Sequence, residues 1–350
     1  MSPPTVSVVI RTRNEANRLR LTLASLERQL LHEVFVVDDC SSDYTHAVVQ
    51  EAAESGSLPV RYLRNARNLG RSAASNAGAR AATGDVVLFL DGDTLAGPDC
   101  VALHAAAHAR RGGFMGRGET LHLRCTRFLQ DPETASPRPG EEARLARMPA
   151  AERERLRVTR EQIRNDFASV AARAEYGIYP GAAPRRLYEL ELKTIREQPD
   201  CELLWVAAVG SNFSVDRAAF LAVGGFDDTL DLNEHRELAL RLHRHGHRIG
   251  HVDGARTYHM THRSGWRDPL AISGWEEVLY RRHPIAAVKM LAVFWAGLAD
   301  ASPIPPGSRI ASLSHLEERL RELSEEDIDA LRALVPGLPR LTQELAGAGG

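Results

Sequence analysis

Short runs rich in apolar residues at positions 6–10, 34–37, 60–63 and 86–90, the first of them β-branched, are separated by stretches where leucine and alanine recur at helical spacing. After the first run, Asn14 can cap a helix carrying Leu19, Leu23, Leu26 and Leu30 on one face. Ser42 can cap a second helix, Arg71 opens an alanine-rich third, and Pro98 sits at the first turn of a fourth. Strand and helix in alternation, with a polar cluster after each strand, predict an α/β fold: a doubly wound, mostly parallel sheet flanked by helices. The run at 86–90, VVLFL, has no helical spacing and reads as a strand buried on both faces. It stops at Asp91-Gly92-Asp93, and open α/β sheets bind ligands at the carboxyl ends of their strands.

The pattern changes beyond residue 125. Residues 141–164 are dense in Arg and Glu, with Leu145, Met148, Leu156 and Ile163 as sparse apolar points. Pro132, Pro137, Pro139 and Gly140 precede this stretch, and Pro180, Gly181 and Pro184 follow it. It reads as a charged, solvent-facing helical insertion spanning 126–200. A strand is expected over 205–215, a short helix over 216–223, and a helix over 234–245 with Leu238 and Leu242 on one side. Residues 251–262, HVDGARTYHMTH, read as strand then loop. The tail from 271 is a helical extension. Its apolar stretch 285–298 is too short for a bilayer and is interrupted by Lys289, and residues 312–334 read as one surface helix. The resulting division is 1–125, 126–200, 201–270 and 271–350.

Composition narrows the function classes. Of 350 residues, 43% are hydrophobic and 26% charged, as in soluble globular proteins, and a net charge of −2 argues against bulk nucleic-acid binding. Cys40, Cys100, Cys125 and Cys201 are widely spaced and read as reduced thiols. The start, MSPPTVSVVIRTRNE, has no signal-peptide pattern and no spanning segment is visible, so a cytoplasmic location is expected. After the first strand RTRNEANR contains no glycine, which argues against a dinucleotide fold, and the phosphate-binding G-x-x-x-x-G-K-[ST] is absent.

In an extended stretch residues two apart point the same way, so Asp91 and Asp93 together could hold a hard divalent cation. The same three residues could equally be a strand-ending turn.

Taken together, VSVVIRTRNE, VVDDCSSD, NLGRSAASNAG, VVLFLDGD and GSNFSV with GGFDDTL resemble the family 2 glycosyltransferases of the GT-A fold. The resemblance covers about residues 5–125 and 205–262. It implies a nucleotide-sugar-binding half over 1–125 and an acceptor-binding half over 201–270. By that resemblance Asp93 ligates Mn²⁺ or Mg²⁺, and Asp91 contacts ribose or supports the metal. His259 is implied as a third ligand, with His262 its competitor. Thr12 and Glu15 belong to the turn that cups the nucleoside, Asp39 accepts the imide N–H of uracil or thymine, and Arg71 and Asn76 face diphosphate and ribose. Gly92 is part of the same donor site.

The chain departs from the family at the acceptor side. Glu234-His235 stands where many relatives carry Glu-Asp, so the general base is expected to be His235, with Glu234 as the alternative. The reaction implied is transfer from a UDP- or dTDP-sugar to an acceptor hydroxyl, with inversion. Competing readings are a retaining GT-A enzyme, a sugar-nucleotide nucleotidyltransferase and a nucleotide-sugar-binding pseudoenzyme. The absence of membrane helices suits a soluble small-molecule, peptide or glycan acceptor, and a homodimer is compatible with everything above.

Overall fold

The apolar runs become strands in the computed structural model, which describes residues 3–177, 187–262, 269–272, 274–299 and 301–342. Strands β1 (Val6–Thr12), β2 (Glu33–Asp38), β3 (Val60–Arg64) and β4 (Val86–Asp91) are joined by α1 (Ala16–Leu26), α2 (Thr45–Glu54) and α3 (Arg71–Ala81). Then come β5 (Thr94–Ala96), α4 (Cys100–Arg110), β6 (Phe114–Leu123), and the small hairpin β7 (Leu129–Asp131) and β8 (Ser136–Pro137). Short helices α5 (Glu142–Arg147), α6 (Ala150–Leu156), α7 (Arg160–Asn165) and α8 (Phe167–Ala171) precede α9 (Leu187–Glu197), β9 (Phe213–Asp216), α10 (Arg217–Ala222), α11 (Glu234–Arg244) and β10 (Arg248–Met260). Helices α12 (Trp275–Arg282), α13 (Ala286–Gly297), α14 (Leu313–Glu322) and α15 (Glu325–Ala333) close the chain.

By internal contacts the chain divides into two units rather than four consecutive stretches. One takes 1–176, 209–226 and 252–265, the other 177–208, 227–251 and 266–350. The sheet runs β3-β2-β1-β4-β9-β6-β10-β5. Its first four strands are parallel, and β9 turns the direction by pairing antiparallel to β4 and to β6. Leu19, Leu23 and Leu26 of α1 pack with Val8, Ile10, Val34, Leu88 and Leu90 in the main core. Each such leucine contributes about 1.5–3 kcal/mol by burial.

Several local expectations needed correcting. Leu30 lies beyond α1 and is 83% exposed. Asn14 does not cap α1. It adopts a left-handed conformation, and its Oδ1 accepts from the Ser42 amide while Asp43 accepts from the Ala16 amide. Helix α2 starts at Thr45, behind Asp43 rather than Ser42. Of 205–215 only residues from Phe213 form a strand, because Leu204–Ala207 is a single 3₁₀ turn and Asn212 is left-handed.

Strand β6 was not foreseen, since its glycines hide the pattern. They are required there: a Cβ on Gly118 would lie 2.3 Å from the Ala255 carbonyl oxygen and from Asn212 Nδ2. The charged insertion is helical, yet it owns a core, with Val158, Ile163 and Val170 packing on Leu21, Ala24, Leu121 and Tyr258. Several of its charges are paired rather than merely solvated: Arg164 grips Glu27 at 2.7 Å through two nitrogens, and Asp131 takes Arg20 at 2.6 Å. Pro180, Gly181 and Pro184 lie outside the described residues.

In the second unit α13 is almost wholly buried. Lys289 is tolerated there because its ammonium reaches Glu325 at 2.6 Å and Asp329 at 3.5 Å. Residues 312–334 are two helices, since Ser324 forms a capping box that starts α15. Among the described residues no helix is long and apolar enough to cross a membrane, and the four cysteines are free.

Candidate active site

The Asp-Gly-Asp segment bends sharply out of the sheet, so its two carboxylates part company. Asp91 ends β4 opposite Arg11 of β1, which puts the two side chains side by side. Arg11 Nε donates to Asp91 Oδ1 at 2.8 Å, and Arg11 Nη2 donates to the Gly210 carbonyl at 3.3 Å. The alternation rule fails after Asp91, because Gly92 and Asp93 form a turn rather than strand. Gly92 is needed for close approach, since a Cβ there would stand 2.7 Å from Thr12 Oγ1. Thr12 itself is buried, with its Oγ1 making no hydrogen bond.

Asp93 turns toward β10 instead. Strand β5 pairs with β10 so that Thr94 faces His259, and the Met260 amide donates to the Asp93 carbonyl at 2.9 Å. That register delivers two imidazoles: His262 Nε2 is 2.8 Å and His259 Nε2 3.4 Å from Asp93 Oδ2. One ligand atom from each of the three residues lies within 4.8 Å of the others. A carboxylate oxygen and two imidazole nitrogens form a donor set suited to one divalent ion, and their spacing lets a single ion gather them. Asp91 is therefore not part of the cluster, and His262 joins it in addition to His259.

Burial pushes the Asp93 carboxyl up, but His259 and His262 more than offset this and hold it well below the usual range. Burial lowers His259, while the Asp93 charge and hydrogen bond outweigh it and leave His259 raised. Beside them His122 is driven down to about 3, first by burial and then by the neighbouring His259. Glu15 borders the same cluster, 3.7 Å from His262 Nε2, and burial raises its carboxyl. Arg18, buried, ties α1 to the segments around it through the carbonyls of Leu129 at 2.7 Å and Met260 at 3.3 Å.

At the next strand ends both carboxylates of Asp38-Asp39 are in use. Asp38 accepts from the Ser41 amide at 2.7 Å and the Tyr62 hydroxyl at 2.5 Å. Asp39 accepts from Asn65 Nδ2 and the Leu69 amide at 2.8 Å and the Gly70 amide at 2.9 Å, which shapes the loop leading to Arg71. Asn76 does not face this loop. It is 1% exposed, its Oδ1 accepts from the Phe226 amide at 2.8 Å, and its Nδ2 donates to the Phe226 carbonyl at 2.9 Å. It clips α3 to the Gly-Gly-Phe turn, and the expectation of a ribose- or diphosphate-facing side chain is corrected accordingly.

In the second unit Asn233, in a left-handed conformation, precedes Glu234 and His235 at the start of α11. Glu234 is 2% exposed, with Oε2 3.5 Å from His235 Nδ1. Arg236 Nη1 lies 2.8 Å from His235 Nε2, and a guanidinium can only donate, so Nε2 accepts.

Residues 7–116 match the family model described as glycosyl transferase family 2. Validoxylamine A glucosyltransferase of Streptomyces hygroscopicus subsp. jinggangensis is 31% identical over 251 residues, 69% of this chain and 52% of that protein. The chain carries a family 2 glycosyltransferase domain. It spans about half the length of that glucosyltransferase. An undecaprenyl-phosphate 4-deoxy-4-formamido-L-arabinose transferase of Sodalis glossinidius is 44% identical over 94 residues, 25% of this chain and 28% of that one. Staphylococcus aureus TarS 1–349 in complex with UDP-GlcNAc superposes with a TM-score of 0.55 at 14% identity, covering 94% of this chain and 90% of TarS 1–349. The fold is thus the GT-A fold.

Within this family 2 domain, sequence reasoning overlooked Arg11 and Arg18. Arg11 lies near the end of β1 and Arg18 in the first turn of α1, where their charge was visible but their partners, far along the chain, were not.

Proposed function

We propose that this chain transfers a glycosyl group from a nucleoside-diphosphate sugar to an acceptor hydroxyl, with inversion and with a divalent cation. The observation that carries this reading is the convergence of Asp93, His259 and His262 at the carboxyl ends of the strands of a family 2 sheet. A cation held by these residues supplies Lewis-acid stabilisation of the departing diphosphate. Two nitrogen donors favour Mn²⁺ over Mg²⁺.

The remaining chemistry belongs to the chain's own side chains. A carboxylate offers about four acceptor positions, and three serve the 65–70 loop, so Asp39 retains one for the imide N–H of a uracil or thymine base. Thr12 Oγ1, buried and without a partner, is the group for the nucleoside beside it. Arg71, opening α3, supplies positive charge for the diphosphate. Arg11 neutralises Asp91 and so keeps a second carboxylate from repelling the donor's phosphates. His235 is the base for the acceptor hydroxyl: its Nε2 accepts from Arg236 Nη1 and so carries the lone pair, the Glu234 carboxylate stands 3.5 Å from Nδ1, and the hydroxyl takes the place of the Arg236 N–H.

The name of the Streptomyces relative makes a glucosyl donor the first to try. Nucleotide release would be measured across UDP-, dTDP- and GDP-sugars with Mn²⁺, with and without a chelator, alongside Asp93→Asn. Release from one donor that stops with chelator and with Asp93→Asn supports the reading. Undiminished release under both conditions refutes the cation site. Nucleotide binding without release marks a pseudoenzyme, and formation of a nucleotide sugar from sugar phosphate marks a nucleotidyltransferase.

A further inference from the structure

Two ring nitrogens beside the cation cluster are buried and without hydrogen-bond partners: Nδ1 of His259 and Nε2 of His122. The two rings stand edge to face, with centroids 5.4 Å apart and planes at 76°. His122 lies near the end of β6, and its backbone is locked by a two-way bridge to Glu175, at 2.8 and 2.9 Å. His259 turns its other nitrogen, Nε2, toward Asp93. An imidazole that gives Nε2 to a metal carries its proton on Nδ1, and such an N–H nearly always finds an outer acceptor that fixes tautomer and ring orientation. Left unmade in a buried setting, that hydrogen bond is costly.

We propose that His122 is a positioning residue that supplies this acceptor. Its Nε2 takes the Nδ1–H of His259, on a small ring rotation or across one ordered water, and so directs the His259 Nε2 lone pair at the cation. The inference rests on reading Asp93, His259 and His262 as a cation site. It adds to that reading a residue outside the ligand set, from a strand that sequence patterning did not reveal.

The test is Mn²⁺ binding alone, by electron paramagnetic resonance of the free ion, on the full chain without nucleotide sugar. His122→Ala is expected to weaken binding about 10–100-fold. His122→Gln, which can carry an acceptor oxygen near the Nε2 position, is expected to recover most of it. In a His259→Ala background, His122→Ala should cost nothing further. Should His122→Ala fail to fold, His122→Phe keeps a ring of similar size without the acceptor and carries the same expectation. Unchanged Mn²⁺ affinity in His122→Ala or His122→Phe overturns the proposal, as does a Gln variant no better than Ala. So does a full loss that persists without His259, which would make His122 a direct ligand or a packing residue. If the unchanged chain bound no Mn²⁺, the cation site itself would fall, whereas binding indifferent to His122 defeats this inference alone.

Discussion

Asn76 separates two accounts of the same residue, because resemblance assigns it to the donor and the structure assigns it to a turn. Asn76→Ala removes the acceptor of the Phe226 amide and the donor to the Phe226 carbonyl, both inside a site that is closed to solvent. Each buried backbone group left unpaired costs about 1–3 kcal/mol, and relaxation around the smaller side chain recovers part of the sum, so about 2–4 kcal/mol is expected. Asn76→Asp keeps the acceptor but sets a carboxylate oxygen against the Phe226 carbonyl, and should be at least as harmful. With a urea slope of roughly 3 kcal/mol per molar, the midpoint should fall by about 1 M. Far-UV circular dichroism is the suitable probe, since Trp205, Trp275 and Trp295 belong to the second unit and report little on the first. UDP affinity under native conditions should be nearly unchanged. An Asn76→Ala protein with an unaltered midpoint and a large loss of UDP affinity would refute the argument and restore the side chain to the donor.

Asp39→Ala should weaken UDP binding by about 1–3 kcal/mol in calorimetry, and Asn65→Ala, which loosens the same loop but keeps the carboxylate, should cost less. Equal effects of the two would reduce Asp39 to a loop organiser. His235→Ala should lower turnover roughly 10²–10⁴-fold with little change in donor affinity, and Glu234→Gln should be milder. The reverse ranking in steady-state kinetics would move the base to Glu234. Burial, only partly offset by Asp216, pushes His108 down to about 4, and its Nε2 lies 2.9 Å from Ser214 Oγ. The fold therefore favours the neutral ring. The stability this represents is complete above the ordinary histidine value of about 6.5 and is lost as pH falls toward 4. Urea midpoints between pH 7.5 and 4 should drop less for His108→Gln than for the unchanged chain, and parallel curves would count against the assignment.

Local pattern determined a good deal of this molecule. The runs rich in apolar residues at 6–10, 34–37, 60–63 and 86–90 became the four parallel strands because an extended segment declares itself through its own side chains. The same logic put Asp91-Gly92-Asp93 at the end of β4, and recognised 285–298 as a helix buried in protein rather than lipid. What it could not determine were partners distant in sequence. Asp93 meets His262 across 169 positions, and that meeting depends on the register of β10 against β5. Arg11 claims Asp91 because β1 and β4 align those two residues, and Asn76 is spent on Phe226 through a turn 150 positions away. Strand β6 forms because Gly116 and Gly118 let neighbouring groups come closer than any side chain would allow, which no hydrophobic period announces. Residue types were legible because chemistry is local to a side chain. Which of them share a site was decided by sheet register and close approach, properties of the folded chain alone.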